Sequence, residues 1–265
     1  MQLKMKNKIG VGIVTYNSEG YFKTLYDSLP KDRIDCLVVA NGGDEYKGKY
    51  NANWIQHNSN FYPAVCRNDC INFLLGRGYE HIFIIEDDMI ITDGNIFDRY
   101  IETSKQSGIK YLCYVSTSDY TGTPFNRTPA LIAEYKNNTS VSFYKNMCNE
   151  FTYHHKTCYD KVGLYDTNFR DPWDVDMAYR ESQQDYAAPF WWFADITDAD
   201  KYIKNNPDAV SRLQADRPDG SREERIREQW NLFTQKHGVS VTNIPRATKQ
   251  QVIDKLNKIK PNHED

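Results

Sequence analysis

Short apolar runs, each closed by polar residues, recur through the first half of the chain. The runs are continuous rather than alternating and are rich in β-branched residues. This pattern is typical of strands that are buried on both faces of a sheet. It predicts strands over residues 9–15, 36–40, 54–57, 82–85 and 111–116.

Segments with apolar residues at helical spacing lie between these runs. Ser18 is positioned to cap a helix that stops at Pro30, and Pro63 occupies a favoured first-turn position of a helix that ends at Gly76. Residues 95–107 form a third helical segment. This alternation predicts an α/β fold in which helices sandwich a mainly parallel central sheet.

The remainder of the chain is less regular. Residues 117–160 show no clear period and are expected to be irregular. Two charged segments are predicted to form helices that begin with capping boxes at Ser221 and Thr248. We therefore predict one domain over residues 1–200 and a helical C-terminal extension over residues 201–265.

Polar side chains follow the predicted strands where each strand ends. Open α/β sheets bind their ligands outside the carboxyl ends of the strands. The expected ligand edge therefore carries three polar groups, which are Thr15 with Tyr16 and Asn17, then Asn41, then Glu86 with Asp87 and Asp88.

The last of these groups places three adjacent carboxylates directly after an apolar strand. Carboxylates repel one another and are costly to bury, so a cation would stabilise them. Oxygen ligands suit Mg²⁺ or Mn²⁺. Asp88 is the expected first ligand, with Glu86 on the same face of the extended chain and Asp87 on the other. A surface turn whose acids cap the next element is the structural alternative.

A second acidic group follows Pro172, which is expected to begin a helix. Asp176 and Arg180 are four residues apart and can pair on that helix. Asp174 has no such obvious partner. A carboxylate at a helix start that faces a cleft is placed to accept a proton, and a purely structural role is equally open.

Composition and charge narrow the classes of binding partner and the cellular location that we expect. The formal net charge is −3 over 265 residues, which demands neither a nucleic acid nor a membrane. We find no signal peptide and no apolar window long enough to span a membrane. The six cysteines form no CxxC pair. Reduced thiols and a cytoplasmic location, in a bacterial cell or a phage-infected host, are therefore expected.

Taken in chain order, six segments resemble the inverting, metal-dependent nucleotide-sugar glycosyltransferases of the GT-A fold, family 2 type. The resemblance covers residues 9–193 and includes a DxD-like motif. The matching segments are V-G-I-V-T-Y-N-S-E, L-V-V-A-N-G-G, A-V-C-R-N-D, I-I-E-D-D-M, V-G-L-Y-D-T-N-F and W-D-V-D-M-A-Y-R.

The resemblance implies a role for each matched position and a hexosyl- or pentosyltransferase activity. A nucleotide-sugar donor and Mn²⁺ or Mg²⁺ would bind, and the acceptor hydroxyl would attack with inversion. The implied residues are Thr15, Tyr16, Asn17 and Asn41 at the base and ribose, Arg67 near the nucleotide, Asp87 at the ribose, Asp88 with Glu86 at the metal, and Asp174 as general base.

Three positions depart from the family pattern. Asn41, or Ala40 before it, stands where the family usually has Asp, so UDP is favoured but not fixed. Glu86 replaces the usual first Asp of the DxD motif. Trp173 replaces the acid that usually precedes the base, and could stack on an acceptor ring or pack internally.

The acceptor and the oligomeric state are left open by the sequence. A glycan, a small molecule and a hydroxylated DNA base all remain possible acceptors. His154 and His155 could line an acceptor cleft or supply a metal nitrogen, and packing is the alternative for both. A non-catalytic nucleotide-sugar binding protein and a metal-dependent phosphohydrolase are the other functions considered.

Overall fold

The computed structural model describes residues 8–41, 48–58, 61–115, 127–145, 149–170, 173–209, 221–259 and 261. Its strands are β1 (Ile9–Thr15), β2 (Cys36–Asn41), β3 (Asn53–Gln56), β4 (His81–Glu86), β5 (Met89–Ile91), β6 (Tyr111–Cys113), β7 (Leu131–Glu134), β8 (Ser140–Tyr144), β9 (Phe151–His155), β10 (Phe193–Ile196) and β11 (Ile203–Asn205). Its longer helices are α1 (Glu19–Ser28), α2 (Pro63–Leu75), α3 (Ile96–Ser107), α4 (Thr157–Val162), α5 (Trp173–Ser182), α6 (Ser221–His237) and α7 (Lys249–Leu256).

Among the described residues, six strands form the central sheet in the order β3-β2-β1-β4-β9-β6. β1 runs parallel to β2 and β4, β2 runs parallel to β3, and β9 runs antiparallel to β4 and β6. The predicted mainly parallel sheet is therefore confirmed. The first four predicted strands match the observed bounds to within one residue at each end, and β6 ends earlier than predicted.

Helices cover both faces of this sheet, as the sequence predicts. Alternate side chains of β4 pack in two different hydrophobic clusters. Phe83 packs with residues of α1 and α3, whereas Ile84 packs with residues of α2. α2 approaches β1 closely at Gly12, where an added Cβ would lie 2.6 Å from Cβ of Cys70. In the described part of the chain, no helix has the length and apolar character required to cross a membrane.

The expectation that residues 117–160 are irregular is wrong. β7, β8 and β9 all lie there, and every residue of β9 is buried. β9 contains three polar residues, so the sequence lacks the continuous apolar run that is typical of a buried strand. Thr152 donates to the carbonyl of Ile84 at 3.3 Å, and His154 stacks on Tyr111 with ring centroids 4.6 Å apart. Their partners lie far along the chain, so local periodicity gives no sign of them.

The chain after residue 200 packs against the preceding part. β11 pairs with β5, directly beyond the three carboxylates. The side chain of Phe233 on α6 is 1% exposed and contacts a cluster that includes Phe169 and Phe193. The predicted capping box at Thr248 is confirmed at the start of α7. The domain boundary at residue 200 stays a prediction.

A buried carboxylate anchors α6 to α5. Asp176 is fully buried and pairs with Arg180, as predicted, at 2.8 Å. Its other oxygen lies 2.8 Å from both Lys236 Nζ and His237 Nε2 of α6. Burial alone would raise the pKa of Asp176, but the hydrogen bond from Lys236 and the charge of Arg180 outweigh burial and lower it.

Replacing Asp176 by Asn should lower the free energy of unfolding by about 3 kcal/mol at neutral pH, because Arg180 and Lys236 lose their counter-charge. The folded-state pKa lies below the unfolded value of about 3.9, so this stabilisation is complete above that pH and is lost as pH falls through the folded value. Urea unfolding of both proteins over a pH series measures the difference.

Asp160→Asn is the matched control, because Asp160 is exposed on α4. It should change the unfolding free energy by no more than about 0.5 kcal/mol. If the difference in unfolding free energy between wild type and Asp176→Asn stays constant down to acidic pH, the anchoring role is contradicted.

Candidate active site

The carboxyl ends of β1 and β4 meet the start of β9 at one edge of the sheet. Val14 pairs with Glu86, and Ile85 pairs with Phe151. The backbone N–H of Glu86 donates to the carbonyl of Glu150 at 2.7 Å. Carboxylates from two distant segments are therefore held side by side where an open α/β sheet binds its ligands.

A buried guanidinium joins these segments. Arg67 of α2 is 0% exposed, and its Nη2 lies 2.8 Å from Oε1 of Glu86 and 2.6 Å from the carbonyl oxygen of Asn149. Its Nη1 lies 3.5 Å from Oγ1 of Thr152. Arg67 therefore holds these segments of the site together, and the nucleotide contact expected for it stays a prediction.

Asp87 faces the end of β1, away from Arg67. Its Oδ2 accepts a hydrogen bond from Thr15 Oγ1 at 2.6 Å and another from Ser18 Oγ. Ser18 is the N-cap residue of α1, as predicted, but its hydroxyl makes no capping hydrogen bond. The turn that follows β1 is polar and partly exposed to solvent. Tyr16 is 38% exposed, and Asn17 has φ 47°, in the left-handed region that Asn tolerates.

Two carboxylate oxygens in this region are buried without a hydrogen-bond partner among the described residues. They are Oδ1 of Asp88 and Oε2 of Glu150. Burial, together with the charges of Glu86 and Glu150, raises the pKa of Asp88 well above its usual range. Burial and the charge of Glu86 raise the pKa of Glu150 to about 8. The charge of Arg67 opposes the rise at Glu150 but does not offset it, so both carboxylates remain short of positive charge.

The second acidic group reaches the same place. Asp174 lies in the first turn of α5, and its Oδ2 accepts a hydrogen bond from Nδ2 of Asn149 at 2.9 Å. Burial raises the pKa of Asp174, while the bond from Asn149 and the charge of Arg67 act against the rise. The contacts run from Glu86 through Arg67 and Asn149 to Asp174, so the two clusters share one site.

The two predicted histidines lie elsewhere. His154 and His155 pair with Ile82 and His81 at the far end of β4, roughly 13–16 Å along the strand from Glu86. His154 is fully buried, and burial lowers its pKa to about 3. The structure does not bring either histidine to the carboxylates, and both are buried in the sheet. The acceptor and metal roles expected for them stay predictions. The side chains of Asn41 and Trp173 lie outside the described residues.

Three residues of this site were not predicted from the sequence. Asn149 and Glu150 immediately precede β9, and the hydroxyl of Tyr111 on β6 donates to Oδ1 of Asn149 at 2.7 Å. Recognition of β9 as a strand would have placed Asn149 and Glu150 at its sheet edge beside the carboxylates.

Comparison with known proteins defines the fold. No family model matches the sequence, and no curated protein matches it. A crystal structure of S. aureus TarS superposes with a TM-score of 0.54 at 17% identity, covering 89% of this chain and 44% of TarS. TarS 1–349 in complex with UDP superposes with a TM-score of 0.54 at 15% identity, covering 95% of this chain and 80% of that one.

The chain has a GT-A-type fold. The expected fold class is therefore confirmed, although this chain spans less than half the length of the longer TarS structure. In this GT-A-type fold, Thr15, Glu86 and Glu150 lie at the edge where the parallel strands end.

Replacing Arg67 by Met should lower the free energy of unfolding by about 2–4 kcal/mol. This lies somewhat below the roughly 3–5 kcal/mol typical of a fully buried ion pair, because Glu86 remains 30% exposed. Arg67→Lys should fall between Met and wild type, since a single ammonium cannot reproduce the planar fork. Urea unfolding without ligands provides the measurement.

Arg77→Met is the control on the exposed segment after α2, where the guanidinium lies over the ring of Phe73 at 3.5 Å. It should lower the unfolding free energy by no more than about 1 kcal/mol. Equal stability of Arg67→Met and wild type would show that the ion pair does not hold the site together.

Proposed function

We propose that this protein is a glycosyltransferase that moves a sugar from a nucleotide-sugar donor to an acceptor hydroxyl, with inversion. The observation that carries this proposal is the shared site of Asp174 and the Glu86–Asp88 carboxylates, linked through Arg67 and Asn149. The site lies at the ligand edge of a GT-A-type sheet. A transferase of this kind needs a donor site and a base, and both clusters supply suitable groups.

The donor side is formed by the ends of β1 and β4. We assign Thr15, Tyr16 and Asn17, with Asn41 on the neighbouring strand, to the base and ribose, and Asp87 to a ribose hydroxyl. The exposed ring of Tyr16 offers a stacking surface. UDP is the favoured nucleotide, and support comes from the superposition on TarS 1–349 in complex with UDP.

The carboxylates fit a Mn²⁺ or Mg²⁺ ion. Asp88 and Glu150 each have a buried carboxylate oxygen without a hydrogen-bond partner among the described residues, and carboxylate oxygens are hard donors that suit these ions. Among the described residues, no three His, Cys, Asp or Glu side chains form a complete metal-binding group. Asp88, with Glu86 beside it, would hold the ion, which when bound would neutralise the diphosphate as the glycosidic bond breaks.

Asp174 is the proposed general base. Its carboxylate takes the proton of the acceptor hydroxyl, whose oxygen then forms the new bond to the anomeric carbon. The bond from that carbon to the diphosphate breaks on the opposite face, and the nucleoside diphosphate leaves with the bonding electrons. A single displacement of this kind inverts the anomeric configuration. Burial with one donated hydrogen bond suits a carboxylate that must accept a proton.

Fewer residues can be assigned to the acceptor than to the donor. Trp173 directly precedes Asp174 in the chain, and we propose it as a stacking surface for an acceptor ring. A glycan, a small molecule and a hydroxylated DNA base all supply the hydroxyl that this chemistry needs. The transferred sugar is a hexose or a pentose.

A thermal-shift screen of nucleotide sugars, with and without Mn²⁺, tests the donor site. A UDP-sugar at about 100 times its Kd should add about 2.7 kcal/mol, which raises the Tm by roughly 5–10 °C for a chain of this size. Asp88→Asn should lose the part of the shift that depends on Mn²⁺. Asp160→Asn should keep it. Absence of any shift across the nucleotide sugars would remove the central assignment.

Replacement of Asp174 by Asn tests the base. Turnover should fall by about 10²–10⁴-fold, while the donor-induced thermal shift is kept, because Asp174 acts on the acceptor. Product NMR should show the inverted anomeric configuration. Full turnover in Asp174→Asn would refute the assignment.

Two further outcomes identify the rival functions. Donor binding without turnover in the unmodified protein, across a broad acceptor panel, would indicate a nucleotide-sugar binding protein. Release of phosphate from phosphate esters would indicate a phosphohydrolase.

A further inference from the structure

We infer that Asn149 is a positioning residue that holds the carboxylate of Asp174 in the orientation needed to accept the acceptor's proton. This inference rests on the proposed function of Asp174 as general base. Three features of the site carry it: the fixed polarity of the Asn149 side chain, the clamped backbone around it, and the charges that face Asp174.

The side-chain amide of Asn149 can bind in only one direction. Oδ2 of Asp174, 2.9 Å away, is an acceptor when ionised and therefore requires the NH₂ group. The amide oxygen then accepts the hydroxyl hydrogen of Tyr111 at 2.7 Å. Each partner fixes the other, so the chain Tyr111–Asn149–Asp174 has a single consistent polarity.

The backbone around Asn149 is held from two sides. Nη2 of buried Arg67 donates to the Asn149 carbonyl at 2.6 Å, and the N–H of Glu86 donates to the carbonyl of Glu150 at 2.7 Å. Asn149 itself is only 5% exposed. Water therefore has little access to the amide, and Oδ2 of Asp174 accepts its hydrogen bond from a group that the protein holds in place.

Charged and titratable groups from several elements face Asp174. They are Arg67 on α2, Glu86 at the end of β4, Glu150 before β9, Tyr111 and Cys113 on β6, and Tyr165 before α5. Burial raises the pKa of Asp174, and the Asn149 hydrogen bond is the largest influence that opposes the rise. Loss of the amide should therefore raise the pKa of Asp174 further.

The pKa of Asp174 can be measured directly by ¹³C NMR titration of the aspartate carboxyl groups, with Asp174→Asn identifying the signal. Asn149→Ala should raise this pKa by about one to two pH units, the value of a hydrogen bond to a charged group. Tyr111→Phe should raise it by less, because the NH₂ group remains but is no longer oriented. Circular dichroism and Tm confirm that each variant is folded.

Asn68→Ala is the matched control. Asn68 on α2 makes two hydrogen bonds to the backbone of Tyr165, at 2.8 and 2.9 Å, and has none to Asp174. Its loss removes an equally structural amide from the same region. The pKa of Asp174 should stay unchanged in this variant.

Kinetics supply the second measurement. The acidic limb of kcat/KM against pH should move to higher pH in Asn149→Ala by the same one to two units. At pH values below this limb, kcat/KM of Asn149→Ala should be about 10–100-fold lower than that of wild type. The difference should shrink as pH rises. The donor-induced thermal shift should be unchanged. A merely structural role would lower activity evenly at all pH values and weaken donor binding.

The outcomes separate this inference from the function on which it rests. An unchanged pKa of Asp174 in folded Asn149→Ala overturns the inference, whatever the activity. If that variant does not fold, Tyr111→Phe decides, and an unchanged pKa there overturns it. Absence of turnover in the wild type removes the transferase, whereas the NMR titration still tests whether Asn149 controls Asp174.

Discussion

The buried guanidinium of Arg67 is the interaction on which the rest of the site depends. In the described part of the chain it is the one cation that acts on the carboxylates of Glu86, Glu150 and Asp174, and it binds groups from both the β4 and β9 sides of the sheet. Without it, these acids would repel one another in a region of low dielectric. A buried ion pair is not in itself a strong source of stability. Here its effect is positional, because it fixes where two distant segments meet.

One guanidinium does not balance the charge of this region. Arg67 pairs with Glu86, while Asp88 and Glu150 keep buried oxygens without partners in the described part of the chain. Such a surplus destabilises the protein until a positive ligand enters, and strain of this kind concentrates at functional sites. Burial, together with this surplus of negative charge, raises the pKa values of Asp88 and Glu150. A cation with its bound diphosphate would relieve an electrostatic cost that the fold already carries.

Sequence patterns were sufficient wherever the folding signal was local. The apolar runs of β1 and β4 and the turn residues around α2 predicted the parallel half of the sheet. β9 was missed because its polar residues are satisfied by partners far along the chain, as Thr152 is by Ile84. Missing that strand also hid Asn149 and Glu150. Ser18 occupies the predicted N-cap position, but its hydroxyl binds Asp87, 69 residues away, and forms no capping bond with its own helix.

The position of Asp174 depends on contacts that two distant parts of the chain make with the first turn of α5. Asn149 and Arg67 define the environment of its first turn, while Asp176, two residues on, is anchored by Lys236 and His237 of α6. The chain after residue 200 also reaches the donor side, since the N–H of Asn206 donates to the carbonyl of Asp88 at 2.6 Å. The C-terminal segment therefore supports both halves of the site. A residue more than 60 positions from Asp174 can alter its chemistry by moving α5, without contacting any substrate.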